Sequence, residues 1–449
     1  MHALFEMNCY ASWWLSSIFF FFFCSSRVDY SYATDTLKYG EWIIDNGTTT
    51  LVSSGERFEL GFYTPINTSS LERYVGIWYK QDQQTVVWVA DQYNPVPNGS
   101  TGVFGIAKDG NLNVWDNTSG MNYSWVTNLD SSSTYRTVKL MDSGNLVVSD
   151  DDDHSATSLW ESFKYPTDTV LPGMKMDENL TLYSWTGKLD GDVGQEQFKF
   201  EQDQEDGNYV ISKYQNHSLV DYWRSSWIRG SSDEMPNDIW ILLSNMSNSG
   251  NYSYERLVMN YTGELQYYRS SGVDQGNWSL IWRKPEHNCS IYNFCGKFGS
   301  CNINNRPFVC KCLPGFRPTY QKDWESGSFS SGCTRNSNSA YEIRNTSFLS
   351  LNMMKVDKPK PALYAYSDNT SDCSNTSFIH DLCRRACLED NLCQAFSLNC
   401  NDPNIDPKKA FSSCRIWSSD LSDLEEEYTE GFNLSVRVAK SVIGTPFTH

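Results

Sequence analysis

Between residues 34 and 160 apolar residues tend to alternate with polar ones in short runs broken by turn-forming pairs. Such alternation predicts half-buried β-strands. Tyr74–Tyr79 (YVGIWY) and Thr85–Ala90 (TVVWVA) are rich in β-branched and aromatic residues, which suit a pleated, packed surface. Val103–Asp116 (VFGIAKDGNLNVWD) predicts a hairpin, because Asp109-Gly110 suits a tight turn between two such arms. Val138–Ser149 (VKLMDSGNLVVS) repeats the pattern, with Ser143-Gly144-Asn145-Leu146 echoing Asp109-Gly110-Asn111-Leu112. A hairpin recurring at a fixed interval predicts an internally repeated all-β domain.

Beyond it, Leu159–Lys175 (LWESFKYPTDTVLPGMK) is turn-rich, and Pro166 and Pro172-Gly173 exclude a regular helix, so it is expected to join the first domain to a second. From Leu180 to Lys284, β-type patches such as Gln197–Phe200, Tyr209–Ile211 and Leu280–Trp282 alternate with polar loops. One stretch carries a helical period. Ile379, Leu382, Cys383, Ala386 and Cys387 form a single apolar stripe, with Arg384 and Arg385 pointing outward.

Cysteines add a constraint that periodicity does not. Cys289, Cys295, Cys301, Cys310, Cys312 and Cys333 form one block, and Cys373, Cys383, Cys387, Cys393, Cys400 and Cys414 a second; only Cys9 and Cys24 lie elsewhere. An even count in each block predicts two disulfide-stapled modules and an oxidising compartment. Zinc is not expected, since C-x2-C pairs and nearby histidines are missing. Residues 1–33 are expected to be a signal peptide: the apolar run Ala11–Cys24 is shorter than the roughly 20 residues of a spanning helix. Glu6 replaces the positive charge usual at its start.

Sixteen Asn-x-Ser/Thr sequons agree with export. The expected glycan carriers are Asn46, Asn67, Asn98, Asn117, Asn122, Asn179, Asn216, Asn245, Asn251, Asn260, Asn277, Asn345, Asn369, Asn375 and Asn433, whereas Asn288 has Cys289 inside its sequon. A formal net charge of −18 argues against nucleic acid or anionic membrane as partners. The run Asp150–Asp153 lacks the glycine and spaced oxygen ligands of a calcium loop and reads as a solvated turn. Nucleophile elbow, zinc-protease helix and phosphate cradle are missing, so an enzyme is unsupported and no cofactor is expected. A glycan hydrolase built on paired carboxylates has nothing specific in its favour.

Leu51–Tyr63 (LVSSGERFELGFY), Tyr74–Val96, Asp142–Val148 (DSGNLVV), Leu159–Met176, Tyr222–Trp227 (YWRSSW), Cys295–Pro318 and the helical cysteine block occur in one order. Together they resemble the ectodomains of plant S-domain (G-type lectin) receptor-like kinases and their secreted relatives, the S-locus glycoproteins. The resemblance implies a mainly β chain. A β-prism bulb-type lectin domain would occupy 34–160, an S-locus glycoprotein β-domain 161–284, and an EGF-like module 285–333. An α+β PAN/apple module would follow at 345–437, with a tail at 438–449. Cys310-Lys311-Cys312-Leu313-Pro314-Gly315-Phe316 carries the EGF likeness, which implies Cys289–Cys301, Cys295–Cys310 and Cys312–Cys333. The stretch before Cys289 lacks the ligands of the calcium-binding variant. The PAN likeness implies Cys383–Cys414 and Cys387–Cys393, leaving Cys373 and Cys400 as a replacement pair.

The departures bear on function. Mannose-binding bulb lectins use Q-x-D-x-N-x-V-x-Y. Here Ala107, Asn113 and Trp115 replace the Gln, Val and Tyr, while Asp109 and Asn111 remain; the second repeat keeps Asn145 and Val147. Asp109, Asn111 and Asn145 are therefore the candidate sugar contacts, although turn chemistry alone accounts for residues of these types. The spanning helix and kinase of the receptor kinases are not found. The expectation is a non-enzymatic, secreted recognition protein, as in pollen recognition or immune signalling, at the plasma membrane if a longer form carries the helix. A peptide, protein or glycan is the expected ligand, and a homodimer or a receptor-like kinase ectodomain the candidate assembly. A mannose-type lectin and a decoy copy of a receptor ectodomain are the alternatives.

Overall fold

The computed structural model describes residues 34–65, 71–129, 135–150, 158–177, 179–185, 198–205, 207–215, 217–225, 235–244, 254–270, 277–336, 345–357, 363–366, 376–399 and 412–443. The expected signal peptide and the pair Cys373 and Cys400 lie outside the described residues.

The two hairpins read in the sequence lie in two of three four-stranded antiparallel sheets. In the first, Thr36–Lys38 pairs with Thr137–Leu140, followed by Leu146–Ser149 and Trp160–Glu161. In the second, Trp42–Ile44 pairs with Gly102–Ile106, followed by Leu112–Asp116 and Asn122–Trp125. In the third, Leu51–Val52 pairs with Phe58–Tyr63, followed by Tyr74–Tyr79 and Asp82–Val89. Each sheet thus takes one edge strand from residues 36–52, which closes the three into a β-prism.

Alternation sends one face of every sheet inward. Leu37, Ile43, Leu60, Ile77, Phe104, Val114, Val138 and Leu146 meet there, all buried. Both recurring turns hold their glycine at positive φ, Gly110 at 81° and Gly144 at 89°, which a residue with a Cβ tolerates poorly.

Two further four-stranded sheets follow. Leu182–Tyr183, Phe198–Gln202, Tyr209–Gln215 and Ser218–Arg224 make one, and Thr169–Val170, Glu255–Met259, Leu265–Ser270 and Trp278–Lys284 the other. The helix α1, Asn237–Leu243, buries Ile239, Leu242 and Leu243. Residues 159–176 do more than connect the two halves. Phe163, Val170, Leu171, Met174 and Met176 are buried in the same continuous core as the prism and both later sheets.

The first cysteine block forms Cys289–Cys301, Cys295–Cys310 and Cys312–Cys333. It includes a short helix α2, Gln321–Glu325. In the second block, helix α3, Thr376–Glu389, packs on a five-stranded sheet of Thr346–Met354, Phe432–Ala439, Ala395–Asn399, Ser412–Trp417 and Leu363–Tyr366. Cys383 and Cys387 face inward and bond to Cys414 and Cys393. All five pairs are those implied by the resemblance.

Candidate recognition surface

Alternation along the strand Leu112–Asp116 puts Asn113 and Trp115 on one side, the side toward which Asn111 leads in from the turn. The structure brings Asn111 and Asn145 to equivalent corners and uses them in the same way. The Asn111 carbonyl accepts from the Thr127 hydroxyl at 3.0 Å and from the Leu129 amide at 2.7 Å. The Asn145 carbonyl accepts from the Ser162 hydroxyl at 3.2 Å and from the Phe163 amide at 3.1 Å, while its amide donates to Glu161 at 3.1 Å. Thr127 and Ser162 also accept from the amides of Leu112 and Leu146, each at 2.9 Å. Both asparagines are buried. Asp109 accepts from the Asn111 amide at 3.0 Å, a turn bond.

Aromatic rings cover the strand face beyond the turn. Trp42, Gly105, Asn113 and Trp125 stand directly opposite one another across the four strands. Gly105 has no side chain, so the Trp42 indole lies on the sheet there; a Cβ would come within 2.6 Å of it. The Trp42 ring meets Trp115 edge-to-face at 5.1 Å. Asn113 is buried beside this pair, with no hydrogen-bond partner for its Oδ1 among the described residues. A half-exposed indole pair can stack on a ring or an apolar group, while Ala107 and Trp115 lack the hydrogen-bonding groups of the Gln and Tyr whose places they take.

Arg136, almost fully buried, ties the two repeats together. Its Nη1 donates to the Gly110 carbonyl at 2.8 Å and its Nε pairs with Asp150 at 3.2 Å. The first residue of the aspartate run therefore serves an internal ion pair, and the other three lie outside the described residues. Asp116 closes the next turn, and its carboxyl is held well below the ordinary value by amide bonds from Ser119 and Thr118 and the hydroxyl of Tyr123.

The sequence matches two domain families. Residues 85–187 match the D-mannose binding lectin family and residues 237–320 the S-locus glycoprotein domain. A G-type lectin S-receptor-like serine/threonine-protein kinase of Arabidopsis thaliana is 39% identical over 456 residues, covering 96% of this chain and 50% of that protein.

The chain belongs to the family of G-type lectin S-receptor-like kinase ectodomains.

Another Arabidopsis member, the G-type lectin S-receptor-like kinase SRK, is 29% identical over 95% of this chain and 49% of its own length. The chain thus spans about half the length of these curated relatives. A solved Marasmius oreades lectin aligns with 29% of the chain at 17% identity and a TM-score of 0.20, too low to bear on the fold. No described helix is long and apolar enough to cross a membrane. Among the sequons of this G-type lectin ectodomain, Asn46, Asn98, Asn117, Asn179, Asn277 and Asn433 are exposed, while Asn122, Asn260 and Asn345 are half-buried. Asn67, Asn216, Asn245, Asn251, Asn369 and Asn375 lie outside the described residues.

Sequence reasoning did not single out Trp42 or Gly105. Their signal was a glycine inside a strand pattern, which often marks close approach of another group, but their pairing joins residues 63 positions apart.

Proposed function

We propose that the chain is a non-enzymatic extracellular recognition module, binding a peptide, protein or glycan without using the mannose contacts of its bulb-lectin ancestors. The observation that carries this reading is the internal use of Asn111 and Asn145, each spent on a sheet corner, beside a strand face covered by Trp42 and Trp115. Family membership supports recognition as the role, since the relatives are lectin-type receptor kinases. Pollen recognition and immune signalling are the settings that the receptor-kinase likeness suggests.

The two cysteine modules fit EGF-like and PAN/apple units acting as spacer and assembly surface, with secretion to the cell exterior. Domain limits of 34–160, 161–284, 285–333 and 345–437 accompany this reading, as does glycan addition at the exposed sequons. Disulfide-stiffened β-domains suit pre-organised binding, which limits the entropy lost on association.

The test screens the secreted chain against a glycan array and a library of extracellular receptor domains. A protein or peptide hit that persists in Asp109→Ala supports the reading. Saturable mannose binding that disappears in Asp109→Ala and Asn111→Ala would overturn it in favour of a mannose-type lectin.

A further inference from the structure

The strand Asn122–Trp125 is an outer edge of the second prism sheet, and in its register Asn122 stands directly opposite Trp115. Leu112 and Val114 point into the core, so alternation sends Trp115 to the outer face. On the edge strand the register slips beside this pair. Tyr123 and Ser124 share the inward side of the bulge, Tyr123 packed against the core and Ser124 buried. Asn122 is left on the outer side with Trp115. Cross-strand neighbours of this kind hold their Cβ atoms about 4.5–5.5 Å apart.

Trp115 is not alone on that face. Its ring meets the Trp42 indole at 5.1 Å, and Trp42 is 39% exposed. The pair forms an apolar surface at the margin of the sheet, next to a strand whose outer backbone edge pairs with no other strand among the described residues. Such an edge invites pairing with another chain unless something covers it.

Asn122-Tyr123-Ser124 is a sequon, and among the described sequon asparagines Asn122 is the one with an aromatic residue directly opposite it. Asn46 and Asn117, by contrast, stand exposed in turns. The Ser124 hydroxyl, which the sequon needs, is buried and donates to Asp91 at 2.8 Å. A sugar at Asn122 is therefore added before the sheet closes, and the sheet then forms around it. Asn122 itself is half-buried, so a ring on its amide nitrogen starts at the sheet surface rather than out in solvent.

We propose that the N-glycan of Asn122 folds back on the Trp42–Trp115 pair, so that the chain's own sugar occupies this strand face. The innermost N-acetylglucosamine lays its C–H face on the indoles and turns its hydroxyls to water, which matches an apolar patch on one side and solvent on the other. The same sugar shields the sheet edge. This inference rests on the proposed secretion and glycan addition, and it closes the prism face to incoming ligands.

Secretion from a host restricted to high-mannose glycans, followed by endoglycosidase trimming, leaves one N-acetylglucosamine at each occupied sequon. Glycopeptide mass spectrometry reads occupancy, and proton–carbon NMR of the labelled sugars reads their surroundings, with Asn122→Gln assigning the signal. Occupancy at Asn122 is expected, with ring protons shifted upfield by the indoles relative to those at Asn46 and Asn117. That shift should vanish in Trp115→Leu, whose folding circular dichroism checks. Thermal melts give a second readout: Asn122→Gln should lower the Tm by ~2–4 °C in the parent and leave it unchanged in the Trp115→Leu background. An empty Asn122 beside glycans at Asn46 and Asn117 overturns this proposal alone, whereas a chain without any glycan overturns the proposed glycan addition with it. Sugar signals at Asn122 like those of the exposed turns, or an upfield shift that survives Trp115→Leu, also overturn it.

Discussion

The Asp168 carboxyl accepts from its neighbour Thr169 at 2.8 Å, in the segment that threads between the prism and the two later sheets. Burial pushes its pKa from an ordinary 3.8 up to about 6, against the lowering effects of the Thr169 bond and of the Arg256 charge. A carboxyl with a raised pKa keeps its proton in the folded chain where the unfolded chain has lost it. Its contribution therefore favours folding most at low pH, declines as pH rises between about 4 and 6, and is flat above that window. Asp168→Asn should raise stability at pH 7 by on the order of 1–2 kcal/mol, a discount from the full shift because the group is not wholly dry. Thermal melts at pH 4, 5, 6 and 7 would show a shallower decline with pH in the variant. A variant less stable than the parent at pH 7 would mean that the ionised carboxylate is a net stabiliser. Nothing in Pro166-Thr167-Asp168-Thr169 marks this burial locally; the stretch reads as turn-rich because the core covering it comes from residues far along the chain.

At the scale of elements, the hairpins were legible and the reason for their asparagines was not. Asp109-Gly110 and Ser143-Gly144 announce turns through local backbone needs, and the paired strands Gly102–Ile106 with Leu112–Asp116 and Thr137–Leu140 with Leu146–Ser149 follow. That Asn111 and Asn145 each pin the next segment of chain depends on residues 16 to 18 positions later. Asn111→Ala and Asn145→Ala should each cost about 1–3 kcal/mol, because buried amide and hydroxyl donors lose their acceptor. Asp109→Ala, on an only half-buried turn, should cost less than about 1 kcal/mol. Urea denaturation of the three variants makes the comparison. Equal losses at all three would show that the corners carry no special stability. Helix α3 was readable from its apolar stripe, whereas α1 was not: seven residues give too few turns for a period to stand out.

At the scale of the molecule, the two cysteine blocks form one body. Gly299–Cys301 pairs in parallel with Leu424–Glu425. The Asn293 amide donates to Asp423 at 2.9 Å, the Asp423 amide donates back to Asn293 at 3.2 Å, and the Tyr292 hydroxyl donates to Asp357 at 2.6 Å. Lys355 pairs with Asp423 at 3.3 Å, both being nearly buried. Tyr292 also reaches the strand Ser218–Arg224, its amide donating to the Tyr222 carbonyl at 2.8 Å. Asp423→Ala removes the acceptor of the Asn293 amide and the nearer of two carboxylates beside Lys355, Glu425 being the other at 4.0 Å, and should cost about 1–3 kcal/mol in the C-terminal unit. Differential scanning calorimetry should show one transition moving several degrees lower and the remainder unchanged. A trace identical to the parent would show that the cross-module contacts carry no weight.

The sequence by itself determined what local chemistry can encode: alternating strands, glycine turns, one amphipathic helix, and two even cysteine blocks, whose pairing came from the family resemblance and not from spacing. It also carried family membership, because ordered runs of turn and core residues persist along nearly the whole chain. Tertiary structure decided which of those residues remain available. Folding spends Asn111 and Asn145 on sheet corners, lays Trp42 across Gly105, and buries the supposed linker. It also brings Arg57 from the prism to within 4.6 Å of the Tyr254 ring centre, about 200 residues later. Each of these outcomes requires segments distant in sequence to meet, and no local pattern records that meeting.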